Sequence, residues 1–106
     1  MAHVILVLTT VPSDALGEEI ATALITERLA ACVNISAPMT SIYRWKGNVE
    51  RDTERQLVIK TTVDRVKVLQ QRIKELHSYE LPEFIVIELS GGSEAYLQWI
   101  ASETQP

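Results

Sequence analysis

The sequence contains few of the residues from which disulfides and zinc sites are built. It has one cysteine, Cys32, and two histidines, His3 and His77. A single cysteine excludes an internal disulfide, which is consistent with a reducing compartment. Structural zinc sites use closely spaced pairs of cysteines and histidines, and this sequence has no such pair. A metal site would therefore have to combine isolated ligands.

The motifs of the common enzyme classes are absent as well. No glycine-rich phosphate loop follows the first apolar run, and there is no G-x-S-x-G, Cys-x-x-Cys or His-Glu-x-x-His pattern. An acylphosphatase would need a glycine loop with an arginine at residues 10–13, where the sequence is Thr-Val-Pro-Ser. We therefore predict that the protein is not an enzyme.

Long apolar runs and concentrated positive charge are also missing. The longest apolar run, residues 4–8, is too short to span a membrane, and the first residues lack the basic region of a signal peptide. Ten basic and fourteen acidic residues give a net charge of −4, without a cluster of Lys or Arg longer than a pair. Nucleic acids and anionic membranes are therefore poor candidate partners. We expect a single cytoplasmic domain over residues 1–106.

The stretch from residue 32 to residue 62 predicts a long β-hairpin. Runs rich in β-branched and aromatic residues precede Gly47 at 31–35 and 40–45, and an alternating run at 56–62 follows it. Arms of about 15 residues would span about 50 Å, whereas a domain of this size has a radius of gyration of about 13 Å. The hairpin should therefore extend beyond its own core and present Tyr43 and Trp45 to another chain. The alternative is a shorter hairpin, broken at Pro38 and followed by a floppy charged loop.

Two helices are predicted between the strands. Pro12, Ser13 and Asp14 close a continuous apolar strand over residues 3–10 and open a helix over residues 14–29. Asp64 is the predicted N-cap of a second helix. The apolar face of this helix consists of residues at helical spacing, namely Val66, Leu69, Ile73 and Leu76.

The resulting order predicts an α+β, ferredoxin-like β-α-β-β-α-β sandwich with an added C-terminal helix. A loop at 77–83, a strand at 84–90 and a short helix capped by Ser93 complete the chain. Right-handed crossovers place both main helices on one face of an antiparallel sheet. The other face is then expected to be uncovered, and an uncovered apolar face needs a partner.

Six segments, in order along the chain, resemble the CutA family of divalent-cation tolerance proteins. They are residues 9–12 (TTVP), 27–35 (ERLAACVNI), 41–47 (SIYRWKG), 60–61 (KT), 77–83 (HSYELPE) and 96–100 (YLQWI). The resemblance implies a ferredoxin-like fold, a homotrimer held by the long hairpins, and a cytoplasmic role in tolerance of copper and other divalent metals. It also implies kinship in architecture with trimeric nitrogen-signalling proteins, whose small-molecule sites lie between subunits.

The sequence departs from the family at several positions. Ser78, Phe84 and Glu88 replace the usual Pro, Ile and Pro. Some members have a second cysteine in the first strand, suspected in copper binding, and Thr9 occupies that place here. A copper site built on that thiol is therefore absent.

The candidate metal ligands are His77, Glu80, Glu83 and Cys32. The first three share one loop, and an imidazole with two carboxylates suits Cu(II) or Zn(II). For Cys32, the competing interpretation is a small buried apolar side chain. For His77, it is a structural role at the negative end of the second helix. We predict no obligatory cofactor, and copper or another divalent cation as the ligand.

An alternative function uses a second set of candidate residues, Trp45, Lys60, Tyr79 and Glu83. Lys60 lies on a strand, where it would present a single charge to a small anion or pair with an acid across the sheet. The first hypothesis is a non-enzymatic homotrimer that responds to divalent metals. The alternative is a trimeric signalling protein that binds a small organic anion in the cleft between subunits.

Overall fold

The computed structural model describes residues 3–106, which form a five-stranded antiparallel sheet and three α-helices. In chain order the elements are β1 (Val4–Val11), α1 (Asp14–Thr26), β2 (Cys32–Ile35), β3 (Met39–Trp45), β4 (Asn48–Thr62), a 3₁₀ turn (Val63–Arg65), α2 (Val66–Leu76), β5 (Ile85–Glu88) and α3 (Glu94–Glu103). This is the predicted ferredoxin-like order, in which the first arm of the long hairpin is divided into two strands. None of the helices within residues 3–106 has the length and apolarity needed to span a bilayer.

Strands β1 and β4 form the centre of the sheet. The order is β2-β4-β1-β5, and β3 pairs with the part of β4 that lies beyond β2. The β1–β4 register runs from Val4 opposite Thr62 to Val11 opposite Arg55. The continuous apolar run in β1 is explained because this strand contacts α1 on its core face and α3 on the opposite face.

The β3–β4 hairpin, residues 39–54, extends beyond the core as predicted. β4 is fifteen residues long, and its first seven residues pair only with β3. The charged run 50–55 is therefore strand and not a floppy loop. Pro38 lies in the break between β2 and β3, where Ser36 Oγ accepts a hydrogen bond from Gln56 N (2.8 Å) and maintains the connection to β4. The molecule is elongated, with extents of 45 × 26 × 23 Å.

A two-residue turn, Lys46-Gly47, closes the hairpin. Trp45 pairs directly with Asn48, and Lys46 and Gly47 have φ angles of 49° and 84°. Two consecutive positive φ values define a type I′ turn, whose twist matches that of the strands. The glycine at the second position adopts this conformation without the cost of a Cβ.

Helix α1 begins as predicted and ends three residues early. Ser13 Oγ accepts a hydrogen bond from Leu16 N (3.2 Å), so Ser13 is the N-cap. At the other end Leu29 N donates to Leu24 O (2.9 Å) and Arg28 N to Ile25 O (3.1 Å), which is the Schellman pattern. Arg28 occupies the left-handed position, with φ 59°. An arginine stands where glycine is usual, so the sequence carries no visible stop signal.

The prediction that Asp64 caps α2 is wrong. Asp64 lies inside the 3₁₀ turn, and neither this turn nor α2 has a side-chain cap. The amide of Val66 instead donates to Val63 O, so the backbone satisfies a group that an aspartate would otherwise have bound. The predicted apolar face is confirmed, since Leu69 and Ile73 are buried.

The core lies between the sheet and the first two helices. It is formed by apolar side chains of β1, α1, β4, α2 and the α1–β2 connection, namely Ile5, Val7, Val11, Ile20, Leu24, Leu29, Ala30, Leu57, Ile59, Leu69 and Ile73. Thr61, also fully buried, donates from Oγ1 to Leu29 O (2.8 Å). The strand residues alternate with side chains of the other face, as a period of two requires.

The prediction that the opposite face is uncovered is wrong over part of the sheet. Lys60 points to that face, because Ile59 and Thr61 on either side of it are buried in the core. Its Nζ reaches Tyr96 Oη of α3 (3.3 Å), and α3 contacts both β1 and β4. The remainder is open at the β5 edge, where Ile85 and Ile87 are 49% and 38% exposed.

Candidate cation and ligand site

His77 fixes the start of the 77–83 loop. Its backbone N–H ends α2 by donating to Ile73 O (2.8 Å). Its Nδ1 accepts from Tyr79 N (3.0 Å), and its Nε2 lies 2.7 Å from Thr10 O. Because a carbonyl oxygen only accepts, Nε2 must hold the proton and donate. Both ring nitrogens are therefore occupied within the chain, and binding a metal would require one of these hydrogen bonds to break.

Tyr79 attaches the same loop to the hairpin. Its hydroxyl donates to Glu54 Oε2 (2.7 Å), and its ring centroid lies 4.6 Å from that of His77. Burial raises the pKa of Tyr79 well above its usual range, and the hydrogen bond to Glu54 adds to the increase. Glu54, the one buried charged residue among residues 3–106, is thereby provided with a donor.

The two predicted carboxylate ligands of the loop contact different partners. Glu80 Oε2 lies 3.9 Å from Lys46 Nζ at the hairpin turn. Glu83 Oε2 accepts a hydrogen bond from Gln56 Nε2 (3.1 Å), which also donates to Thr9 O (2.8 Å). The loop therefore spreads its carboxylates along the hairpin and the adjoining part of β4 instead of directing them to one point.

The candidate metal ligands do not form a complete site within the part of the chain that the structure describes. Across residues 3–106, His, Cys, Asp and Glu side chains nowhere form a group of three that could share an ion. Cys32 is half-buried in β2, directly opposite Lys60 of β4, and the 77–83 loop lies elsewhere. The four predicted metal ligands, His77, Glu80, Glu83 and Cys32, are therefore not brought together, and their role stays a prediction for an assembly of chains.

The four predicted ligand-binding residues are also dispersed. Trp45 pairs with Asn48 at the tip of the hairpin, whereas Lys60 lies near the opposite end of β4. Twelve residues of strand separate Asn48 from Lys60, or roughly 40 Å at the usual rise. Lys60 contacts Tyr96, and Tyr79 and Glu83 lie along the hairpin. A single chain cannot place Trp45 and Lys60 in one cleft.

Sequence reasoning missed several residues that organise this region. Tyr43 donates a hydrogen bond to Asp52, which raises the pKa of Tyr43 to about 12. Glu54 and Gln56 hold the loop. Asp52, Glu54 and Gln56 all lie in or beside the charged run of β4. Asp52 and Glu54 alternate along the face of the hairpin that Tyr43 shares, and this alternation was the signal that could have found them. Tyr96 lies in one of the six family segments, but no local signal pointed to its contact with Lys60.

Two surface cavities flank α3 and lie apart from the candidate residues. The larger, of about 470 Å³, is lined by His3, Ser90, Gln98 and apolar neighbours. The smaller, of about 360 Å³, lies between Arg28, Trp99 and Glu103. Neither includes a residue of the 77–83 loop or the hairpin, so cavity size does not identify the site.

Comparison with known proteins identifies the family. The family model described as CutA1 divalent ion tolerance protein matches residues 5–103. The divalent-cation tolerance protein CutA of Thermus thermophilus is 47% identical over 98 residues, which cover 92% of this chain and 95% of that protein. A solved structure of the divalent cation tolerance protein Cut A1 from Thermus thermophilus has a TM-score of 0.94 at 45% identity, covering 96% of this chain and 99% of that one.

A plant relative has a longer chain. The chloroplastic CutA protein of Arabidopsis thaliana is 39% identical over 101 residues, but the match spans only 56% of its length. The similarity is therefore to one part of that protein. With the family model matching nearly the whole length and the bacterial relative aligned almost end to end, this chain belongs to the CutA1 divalent ion tolerance family.

Proposed function

We propose that this protein acts in tolerance of divalent metal ions as a non-enzymatic, cytoplasmic homotrimer that binds copper or a similar cation between subunits. The observation on which the proposal depends is the dispersion of the candidate ligands. One chain supplies His77, Glu80 and Glu83 along a loop and Cys32 on a distant strand, and within residues 3–106 no three such side chains converge. Donors from neighbouring chains would complete such a site.

The surface of one chain supports self-association. The apolar side chains of β5, the strand at the end of the sheet, are partly exposed, with Ile85 at 49% and Val86 at 41%. Within the described residues, β3 has a partner strand on one side only, so its other edge leaves backbone groups unpaired. An apolar edge strand and an unpaired hairpin edge are the features that association with further copies would cover.

Light scattering and calorimetry together test the proposal. We expect a particle of about three times the 11.9 kDa chain mass. Cu(II) should bind to this particle, and a panel of nucleotides and carboxylic acids should not. A monomer at micromolar concentration would contradict the assembly, and a trimer that binds no divalent cation would contradict the metal role.

One observation favours the second candidate function. The salt bridges of residues 3–106 do not include Lys60, whose ammonium contacts the hydroxyl and the ring of Tyr96 instead of a carboxylate. A half-buried cation without an anionic partner can bind a small organic anion. Trp45, Tyr79 and Glu83 would then come from other chains of a signalling trimer. The carboxylic acids and nucleotides of the same calorimetric panel test this alternative.

A further inference from the structure

The smaller surface cavity, of about 360 Å³, lies where the end of α1 meets the C-terminal half of α3. Its lining combines one guanidinium group, one carboxylate and one indole, those of Arg28, Glu103 and Trp99. The remaining lining is mostly apolar and includes Ile25 and Ala30. A cavity of this size accommodates a small molecule, and this one offers such a molecule both signs of charge beside an apolar surface.

The two charged groups of the cavity are only loosely paired. Arg28 Nη1 lies 3.7 Å from Glu103 Oε2, and the two side chains are 52% and 46% exposed. The guanidinium group donates its hydrogen bond to the backbone carbonyl of Glu103 instead, at 3.4 Å. An exposed pair at this distance contributes little to stability, because water solvates both charges. Both groups are therefore free to bind the charges of a ligand.

Helix α3 presents the indole and the carboxylate together. Trp99 and Glu103 are four residues apart, so they lie on the same face of the helix. The ring of Tyr96, one turn earlier, packs against the indole with a centroid distance of 5.4 Å. Trp99 is nevertheless 41% exposed. An indole that is supported on one side and open on the other can contact an ammonium group or an apolar side chain.

The backbone of Arg28 separately indicates that its side chain has a function. Its φ of 59° places it in the left-handed region, at the position of the Schellman pattern where glycine is usual. A residue with a Cβ adopts this conformation at a cost that glycine avoids. The long, half-exposed contact with Glu103 does not offset this cost, so folding alone does not explain the arginine. Backbone outliers of this kind are concentrated at binding sites.

We propose that this cavity binds a free α-amino acid with an apolar side chain. The guanidinium group of Arg28 binds the ligand carboxylate, and the carboxylate of Glu103 binds the ligand ammonium, both through charge-assisted hydrogen bonds. The indole of Trp99 contacts the ammonium and the apolar side chain. Because the charged atoms of Arg28 and Glu103 are only 3.7 Å apart, they suit a ligand that carries both charges on one carbon. The proposal does not depend on the metal role proposed above.

Calorimetric titration of the native chain with L-leucine and L-phenylalanine tests the proposal. At least one of them should bind, and L-leucine should bind at least about tenfold more tightly than two analogues that each lack one charge. Isocaproate is leucine without the ammonium group, and isopentylamine is leucine without the carboxylate. If the native chain binds neither amino acid, or binds isocaproate as tightly as L-leucine, the proposal is wrong.

Arg28→Gly separates binding from folding. It should weaken amino-acid binding at least about tenfold, because the carboxylate loses its partner. Its melting temperature should equal or exceed that of the native chain, because glycine adopts the left-handed conformation without strain. A loss of affinity in a variant of undiminished stability is attributable to the guanidinium group. Unchanged affinity in Arg28→Gly would overturn the proposal.

Glu103→Gln tests the second charge. It should weaken the binding of the amino acid at least about tenfold and leave the weak binding of isocaproate unchanged, because isocaproate has no ammonium group. Glu94→Gln is the matched control, since it removes the same charge at the other end of α3 and should bind the amino acid as the native chain does. Equal losses of affinity in Glu103→Gln and Glu94→Gln would show an effect of net charge alone and would contradict the assigned contact.

Discussion

The Tyr79 hydroxyl donates a hydrogen bond to Glu54, a carboxylate that is only 8% exposed. The contact joins the loop after α2 to the protruding part of β4. A buried carboxylate without a donor loses its hydration and gains nothing in return. The hairpin and the loop are therefore coupled through this pair, in addition to the contact between Lys46 and Glu80.

Tyr79→Phe should destabilise the fold by about 1–3 kcal/mol, because it leaves the Glu54 carboxylate without its donor. The measurement is urea-induced unfolding. Tyr96→Phe is the matched control. The Tyr96 hydroxyl accepts a hydrogen bond from Lys60, but Tyr96 is 43% exposed, so water can replace the lost hydroxyl as the acceptor. Equal losses for the two variants would mean that Glu54 is hydrated and that the pair has no special role.

Stability should fall at alkaline pH, and Tyr43 should contribute to the fall. The hydrogen bond to Asp52 raises the pKa of Tyr43 to about 12 from its usual value of 10.0. The unfolded chain releases this proton first, so the contribution is complete below pH 10 and is lost as pH rises towards about 12. Ultraviolet titration of tyrosinate should show a late phase that disappears in Tyr43→Phe. In Asp52→Asn the same phase should move to lower pH, and an unmoved phase would contradict the assignment.

Two buried threonines of the sheet should respond in opposite ways to the loss of a hydroxyl group. Thr9 and Thr61 are both fully buried, but Thr9 Oγ1 has no hydrogen-bond partner among residues 3–106, whereas Thr61 Oγ1 donates to Leu29 O (2.8 Å). Thr9→Val removes an unpaired polar atom and should stabilise the protein by about 1 kcal/mol. Thr61→Val leaves the Leu29 carbonyl oxygen without its donor and should destabilise the protein by about 1–2 kcal/mol. Thermal unfolding of both variants measures the contrast, and a loss of stability in Thr9→Val would indicate a partner for that hydroxyl.

Replacement of His77 tests the metal role. If this imidazole binds Cu(II) in the assembled protein, His77→Ala should weaken binding at least tenfold, which corresponds to about 1.4 kcal/mol. His3→Ala is the control, since it removes the only other histidine. Calorimetric titration measures both variants. Unchanged affinity in His77→Ala with a loss in His3→Ala or Cys32→Ser would place the cation elsewhere.

The fold was largely predictable because its signals are local. Hydrophobic spacing located the helices, and Gly47 located the turn. The end of α1 was not predictable, because Arg28 adopts a backbone conformation that is usual for glycine. The charged run in β4 was also ambiguous: its residues pair only with β3, so no buried partner imposes an apolar alternation on them.

The candidate site was less predictable for a different reason. The sequence places His77, Glu80 and Glu83 in one loop, but their partners are Thr10, Lys46 and Gln56, which lie far away along the chain. Contacts of this kind depend on how β1, β4 and the loop pack together, and local patterns contain no information about them. Proximity in sequence predicts convergence of these side chains, and three-dimensional packing separates them.

The type I′ turn limits which changes of sequence the hairpin can tolerate. Its two residues fix the register that keeps Arg44 opposite Val49 and Tyr43 opposite Glu50. A slip of one residue moves every side chain of a strand to the other face, and it could bring Arg44 opposite Glu50. Opposite charges would then pair across the two strands of one hairpin. Unlike most exposed loops, this one should tolerate changes of residue at Lys46 far better than insertions or deletions, because the length of the turn determines the face of the hairpin on which each charged side chain lies.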